Sequence, residues 1–256
     1  MDKRLSVGLE AAKQAGSYLR AQFLKEHHVS AKPDSTVLLD EDKKSEDILI
    51  SSIIKAFPKD TFFTEETDTK FDQDNVWIID PLCGSYSYLR GVETWSISLA
   101  YFSDNKLQLG IVYQPYLLNV FYGVLGWGAF MNGQSIKPSE TVKISDSFVS
   151  IEHGVFNNPQ VNLKDLVGSI KRLRVGHGSG GELSYVAAGF LDAVIKTDQT
   201  LVHFAGGRAI LEAAGGVFSD FNNKPAPFYF DKGKKIDYIA CSNKGLSSKI
   251  LKYLLK

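Results

Sequence analysis

Cysteine is nearly absent: the 256 residues contain only Cys83 and Cys241. They could form one disulfide at most, so the disulfide framework of a small secreted protein is excluded. A reducing cytoplasm is the simpler setting. An excess of charge is missing too, since 29 basic residues balance 29 acidic ones. A zero net charge gives no broad attraction for nucleic acid or an anionic membrane, so neither is an expected partner. Any affinity for phosphate must come from a local site. No apolar run reaches bilayer-spanning length. Met1 to Arg4 leads straight into a periodic polar-apolar segment, so no secretory signal is expected. Low-complexity linkers and internal repeats are also lacking. A single unit over 1–256 is expected, with an α+β half of about 1–145 and an α/β half of about 146–256.

What is present alternates in a readable way. Leu5, Leu9, Ala12, Ala15, Leu19 and Phe23 recur at helical spacing. A polar stretch, Ser30 to Ser35, breaks that helix. Ser45 to Phe57 reads as a second helix with a stripe of Ile48, Leu49, Ile53 and Ile54, ended by Pro58. Strands follow: Thr61 to Phe63, then Val76 to Ile79 closed by Asp80-Pro81, then Trp95 to Ala100, Leu107 to Tyr113 and Val120 to Leu125. Asn132-Gly133 is a hairpin signal. The remainder reads as helix (161–172), strand (173–175), helix (182–188), strand (193–196), helix (205–214), strand (216–220) and helix (246–255). Helices first, a β-rich middle and then α/β alternation predict layered helices and sheets.

Three acidic clusters carry the candidate chemistry: Asp40-Glu41-Asp42 before the second helix, Glu65-Glu66 after a short strand, and Asp80 at the end of an apolar one. Singly, each is a helix cap or a solvated loop charge. Carboxylates gathered at strand ends are also how proteins assemble hard oxygen ligands for Mg²⁺.

The segment Trp77-Ile78-Ile79-Asp80-Pro81-Leu82-Cys83-Gly84-Ser85 resembles the inositol monophosphatase family signature W-V-I-D-P-I-D-G-T. Glu65-Glu66 resembles its G-E-E-S segment, with Thr64 for the glycine. Residues 126–133 resemble its G-x-G-A-x-x-N-G hairpin, Tyr185 to Ala193 its Y-V-A-A-G-x-x-D-A stretch, and Ala213 to Gly216 its E-A-G-G. The matches run in order along almost the whole chain. The resemblance implies an α/β (α+β) fold, a layered αβαβα sandwich, usually a homodimer. The implied reaction is hydrolysis of a small phosphate monoester by metal-activated water. Glu65, Asp80 and the Leu82 carbonyl would bind a first metal, Mg²⁺ in the family. Asp42 and Ser85 would orient and deprotonate the water. The Gly84 and Ser85 amides would face the phosphate, with Gly178 and Ser179 in the family's substrate loop.

Two positions depart from the pattern. The second Asp of the signature is Cys83, and the Asp of a W-D-x-A segment is His203. In the family both surround a second metal together with Asp80. Thiolate and imidazole are softer donors that suit Zn²⁺ or another transition metal. Losing two carboxylates should also weaken Mg²⁺ at the first site. Alternatively the second site is lost, Cys83 is a small buried residue and His203 a neutral hydrogen-bonded imidazole. Lys196 aligns with a family Glu that contacts substrate hydroxyls; it is either a solvated strand-end charge or a contact for a more anionic ligand.

Two functions of different class therefore compete: a metal-dependent phosphomonoesterase with altered metal dependence, and a catalytically impaired relative acting as a binding or regulatory dimer. A remote third reading takes Gly176 to Gly181, with Asp198 downstream, as a dinucleotide fingerprint. The helix after it is short for a crossover.

Overall fold

Small residues on one face of the first helix decide how close it can lie to a sheet. α1 (Lys3–Gln22) buries Leu5, Gly8, Ala11, Ala12, Ala15, Gly16 and Leu19. The computed structural model describes residues 3–31, 37–67, 71–72, 74–176 and 178–254. A hairpin of β1 (Val29–Ala31) and β2 (Val37–Leu39) leads into α2 (Asp40–Ala56). The chain then builds β3 (Thr61–Thr64), β4 (Val76–Cys83), the short α3 (Ser85–Leu89), β5 (Ser96–Ser103), β6 (Lys106–Gln114), β7 (Asn119–Val124), β8 (Gly128–Met131) and β9 (Gln134–Ile136). These seven strands lie side by side in chain order, antiparallel except for the parallel β3–β4 pair. The Asn132-Gly133 turn holds both residues at positive φ, 50° and 82°, as a tight hairpin requires.

The second half comprises β10 (Phe148–Ile151), α4 (His153–Phe156), α5 (Leu163–Ser169), β11 (Arg172–Val175), α6 (Ser179–Ala187), β12 (Ala193–Gln199), α7 (Leu201–Ala213), β13 (Val217–Asp220), β14 (Ile236–Cys241) and α8 (Lys244–Leu254). Its sheet has the order β11-β10-β12-β14-β13. Three apolar layers result. Leu19, Leu49 and Ile53 of α1 and α2 pack on Trp77, Ile79 and Leu99. The opposite face of that sheet, with Ile78, Ala100 and Phe121, packs on Leu183, Phe204 and Ile210 of α6 and α7, and these in turn on Val194 and Tyr238. Ile151 and Ile195 meet Leu166 of α5 and Ile250 of α8 on the outer side. The architecture is the expected αβαβα sandwich.

Several boundaries differ from the sequence expectation. α2 begins at Asp40, not Ser45, because a helix N-terminus favours acidic residues in its first turn. The buried face of its first two turns is polar, with Glu41, Asp42, Ser45 and Glu46 covered; Leu49 and Ile53 are buried as expected, whereas Ile54 is 43% exposed. β4 does not close at Asp80-Pro81 but continues to Cys83. Its pairing with β5 is irregular between Asp80 and Cys83, which accommodates the proline's missing donor. α6 and α7 start earlier, at Ser179 and Leu201, and the expected helix over 161–172 is confined to Leu163–Ser169. Ser30 and Ala31 belong to β1, and the rest of the expected polar break, 32–35, lies outside the described residues. β10 and β14 had no counterpart in the sequence reading.

At Gly206, helix α7 approaches the seven-stranded sheet closely enough to leave no room for a Cβ. A Cβ on Gly110 would lie 2.3 Å from the Gly206 carbonyl oxygen, and one on Gly206 2.4 Å from Ser98 Oγ. Alanine favours a helix interior over glycine by about 1 kcal/mol, yet Gly206→Ala should destabilise the protein by ~1–3 kcal/mol through overpacking. Denaturant unfolding checks this, with a raised midpoint the contrary result.

Candidate active site

Register brings the first two acidic residues together. The parallel pairing matches Thr64 with Ile79, and the Glu65 N–H donates to the Ile79 carbonyl at 3.1 Å. Glu65 therefore emerges beside Asp80. Period-two alternation on β4 puts Ile78 in the inter-sheet core and Ile79 in the outer one, so Asp80 points between the sheets. There it meets the first turn of α7. His203 Nε2 lies 3.9 Å from Glu65 Oε1, and its Nδ1 lies 3.3 Å from Thr200 Oγ1 at the N-cap. Donor atoms of Glu65, Asp80 and His203 all fall within 4.8 Å of one another.

Asp80 is 1% exposed, and neither carboxylate oxygen makes an aligned hydrogen bond, the Cys83 thiol being a weak donor beside it. Burial, then the Glu65 charge, push its carboxyl well above the usual range. A buried carboxylate so poorly bonded is costly unless a cation faces it, and a bound cation reverses that shift. Two carboxylates and an imidazole fit a divalent ion with mixed O/N preference.

The pair expected to activate water, Asp42 and Ser85, is also brought together. Asp42 Oδ2 accepts from the Leu39 N–H at 2.7 Å and Oδ1 from Ser85 Oγ at 2.9 Å. Ser85 Oγ also lies 2.9 Å from the Leu82 carbonyl. One hydroxyl proton cannot serve both acceptors. With Asp42 ionised, Ser85 donates to it; with Asp42 protonated, Asp42 donates to Ser85, which donates to Leu82. Burial raises Asp42 to about 7, against the lowering effect of the Leu39 N–H. Gly84 turns the chain into α3 at φ +96°, and its Cβ would sit 3.2 Å from the Thr94 carbonyl.

Three residues that the sequence reading passed over hold this arrangement. Ser45 donates to the Pro81 carbonyl at 2.8 Å, and Glu46 accepts the Glu66 N–H at 3.1 Å. Lys232 Nζ donates to the Glu65 carbonyl at 3.1 Å. Polar residues on the apolar-facing side of α2 were a usable signal for the first two; nothing local marks Lys232.

Other expected site residues are differently placed. Cys83 is outside the 4.8 Å donor group of Glu65, Asp80 and His203. Burial, then the Asp80 charge, hold its thiol well above the ordinary value, so it is protonated. Gly178 caps α6, with its Cβ position 3.8 Å from Cys83 Sγ. Ser179 is buried and donates to Gln199 Oε1 at 2.7 Å. Lys196 is not a solvated strand-end charge: it is fully buried, with Nζ 3.1 Å from Glu182 Oε2. The glycine run does not form a phosphate cradle either. Gly180 lies against Ser98 and Val112, so protein fills the start of α6.

The family model described as the inositol monophosphatase family matches residues 1–256. Inositol monophosphatase 3 of Solanum lycopersicum is 29% identical, over 99% of this chain and 97% of its own. Fructose-1,6-bisphosphatase of Pyrococcus furiosus is 32% identical, over 88% and 86%. The solved IMPase of Thermotoga maritima superposes with a TM-score of 0.89 at 25% identity, covering 98% of this chain and 96% of its own.

Asp42 also predicts a pH dependence. Its folded-state value, about 7, lies above the unfolded 3.8, so the folded state holds the extra proton between them. Stability of the metal-free protein should fall as pH rises through that window. Asp42→Asn keeps an acceptor for Leu39 and removes the titration. Its advantage over wild type should grow between pH 5 and 8, by about 2–3 kcal/mol. Parallel melting-temperature profiles would contradict this.

Proposed function

The chain belongs to the inositol monophosphatase family of phosphoric monoester hydrolases, and from that premise we propose that it hydrolyses a small phosphate monoester with altered metal dependence. The observation that supports this reading most directly is the buried carboxylate of Asp80, without an aligned hydrogen bond, beside Glu65 and His203.

Glu65, Asp80 and His203 would hold one divalent ion, with the Leu82 carbonyl nearby as in the family pattern. When bound, such an ion acidifies a water and polarises a phosphoryl oxygen. Ser85 Oγ takes the proton of the attacking water as it passes its own to Asp42 Oδ1. This relay needs Asp42 ionised, so activity should rise as Asp42 loses its proton. The backbone amides of Gly84 and Ser85 offer donors to the phosphate. Mg²⁺, the family's usual ion, would bind weakly here, since a protonated Cys83 and the imidazole of His203 replace two hard anions. Zn²⁺ or another transition metal suits His203 better. Two buried free thiols, Cys83 and Cys241, accord with a reducing cytoplasm. No helix among the described residues is long and apolar enough to cross a membrane. The family pattern supports a homodimer built from one domain per chain.

The second reading, a binding or regulatory relative without turnover, has its own support. The protonated Cys83 stands where the family pattern has an anionic ligand, and Lys196, where it has a glutamate, is fully buried.

A screen of phosphate monoesters with Mg²⁺, Mn²⁺ and Zn²⁺ in parallel separates the readings. We expect turnover with at least one ester, higher with Mn²⁺ or Zn²⁺ than with Mg²⁺. Ser85→Ala and Asp42→Asn should each lower it by about a hundredfold or more with the fold intact. Undiminished turnover in both variants would refute the relay; no turnover with any metal would favour the regulatory reading.

A further inference from the structure

Glu65 lies one residue past the end of β3, yet the backbone on both sides of it is tied down. Its own N–H donates to the Ile79 carbonyl at 3.1 Å. The peptide unit that follows is held at both ends. Its carbonyl, that of Glu65, accepts from Lys232 Nζ at 3.1 Å, and its N–H, that of Glu66, donates to Glu46 Oε2 at 3.1 Å. Fixing the peptide planes before and after Glu65 fixes its φ and ψ, and with them the direction of its Cβ. Lys232 Nζ also donates to the Thr67 carbonyl at 3.1 Å, so one ammonium secures two points of the loop.

The segment that delivers Lys232 is extended. Residues 221–235 join β13 to β14 without helix or strand. Exposure alternates along it: Ala226 is buried and Phe228, Phe230 and Lys232 are half-buried, while Pro227, Tyr229 and Asp231 are exposed. Period two marks an extended chain, and Pro225 and Pro227 have their φ restricted in advance. Each inward residue has an anchor. The Ala226 carbonyl accepts from Arg208 Nη1 at 2.8 Å, and the Arg208 guanidinium lies 4.2 Å from the Phe228 ring centroid. Phe228 and Phe230 meet Phe102 edge-on, with centroids 5.2 and 5.1 Å apart, and Phe230 meets Phe63 of β3 at 5.5 Å. Arg208 belongs to α7, the helix that carries His203. The contacts therefore close a ring: His203, α7, Arg208, the extended segment, Lys232, Glu65, and back to His203 across 3.9 Å.

We infer that Lys232 is a positioning residue for Glu65, at the end of a strap that carries the position of α7, and so of His203, to the carboxylate opposite. The inference rests on the proposed divalent-ion cluster, since a shared ion is what requires Glu65 and His203 to keep one spacing. Charge-assisted bonds from an ammonium suit this task, being shorter and stronger than neutral ones. Groups that orient metal ligands from behind are worth roughly ten- to a hundredfold in affinity. The same ammonium brings a positive charge towards the site, which by itself opposes a cation. Lys232→Met decides between the two effects.

Calorimetry with Mn²⁺ on the full chain tests the inference, alongside amide hydrogen exchange and denaturant unfolding of the metal-free protein. Lys232→Met should bind Mn²⁺ roughly tenfold or more weakly than wild type. Exchange of the Glu65 and Glu66 amides should quicken, while the amides of β5 keep their rates. Phe230→Ala slackens the strap with every charge in place, and should weaken Mn²⁺ binding in the same direction. A purely structural role would lower the unfolding midpoint of Lys232→Met and leave its Mn²⁺ affinity alone, which overturns the inference. A raised affinity overturns it too, as does unchanged exchange at Glu65 and Glu66. Wild-type affinity in Phe230→Ala would refute the strap. Absence of Mn²⁺ binding by wild type would defeat the cluster reading and this inference with it, a result distinct from binding that the variants retain.

Discussion

The carboxylate of Asp80 is buried between two sheets with no aligned hydrogen bond to either oxygen and only the weak donor of the Cys83 thiol beside it, and much of the nearby structure exists to make that tolerable. An ionised group in such a place must be neutralised by a proton or a cation. The fold supplies only acceptors and a neutral thiol around it, and Glu65 emerges alongside through the β3–β4 ladder. A cation answers both carboxylates at once. Electrostatics of this kind follow from backbone register, because one residue of slippage on β3 would send Glu65 to the outer face.

Helix α2 shows how the fold holds such a site. Its inward face gives up apolar burial for Asp42, Ser45 and Glu46, each bonded to a different loop or strand of the site: Ser85, the Pro81 carbonyl and the Glu66 amide. Three contacts from one rigid element fix the relative positions of β4, α3 and the residues after β3. Net hydrogen-bond energies are modest, about 1 kcal/mol each; their value here is geometric, since misplacement by an ångström is what catalysis tolerates least. From the other direction, glycine contacts seat α7 on the sheet and bring His203 to Glu65.

Layer architecture was legible because apolar periodicity encodes it: the α1 stripe, the β4 run and the hairpin at Asn132-Gly133 lie where spacing put them. Helix starts were less legible. Asp40 to Asp42, Ser179 to Gly181 and Leu201 to Phe204 each lay outside the expected helices: the first two are polar or glycine-rich first turns, which break the apolar period while satisfying the rules for helix N-termini, and the third is an apolar run too short to show a helical period by itself. The convergence of Asp42, Glu65, Asp80, Ser85 and His203 was readable from motif order. That Lys196 is buried was not, since its partner Glu182 lies on another element and a lysine at the end of an apolar strand reads as exposed. Pairing across elements leaves no trace in local spacing.

The two departures at Cys83 and His203 also bear on stability without metal. Carboxylates at both positions would place four acidic groups around one buried point. Without a cation those charges repel and raise one another's proton affinity, so folding would lean on the ion. A neutral thiol and an imidazole reduce the anions to Glu65 and Asp80. On the proposed reading, the metal-free fold would thereby be less strained, at the cost of affinity for hard divalent ions. Stability and metal affinity are opposed at these positions because they act on the same electrostatic potential, that at Asp80. A chain that relaxes one must weaken the other unless softer ligands recover part of the binding, the part that the proposed function gives His203.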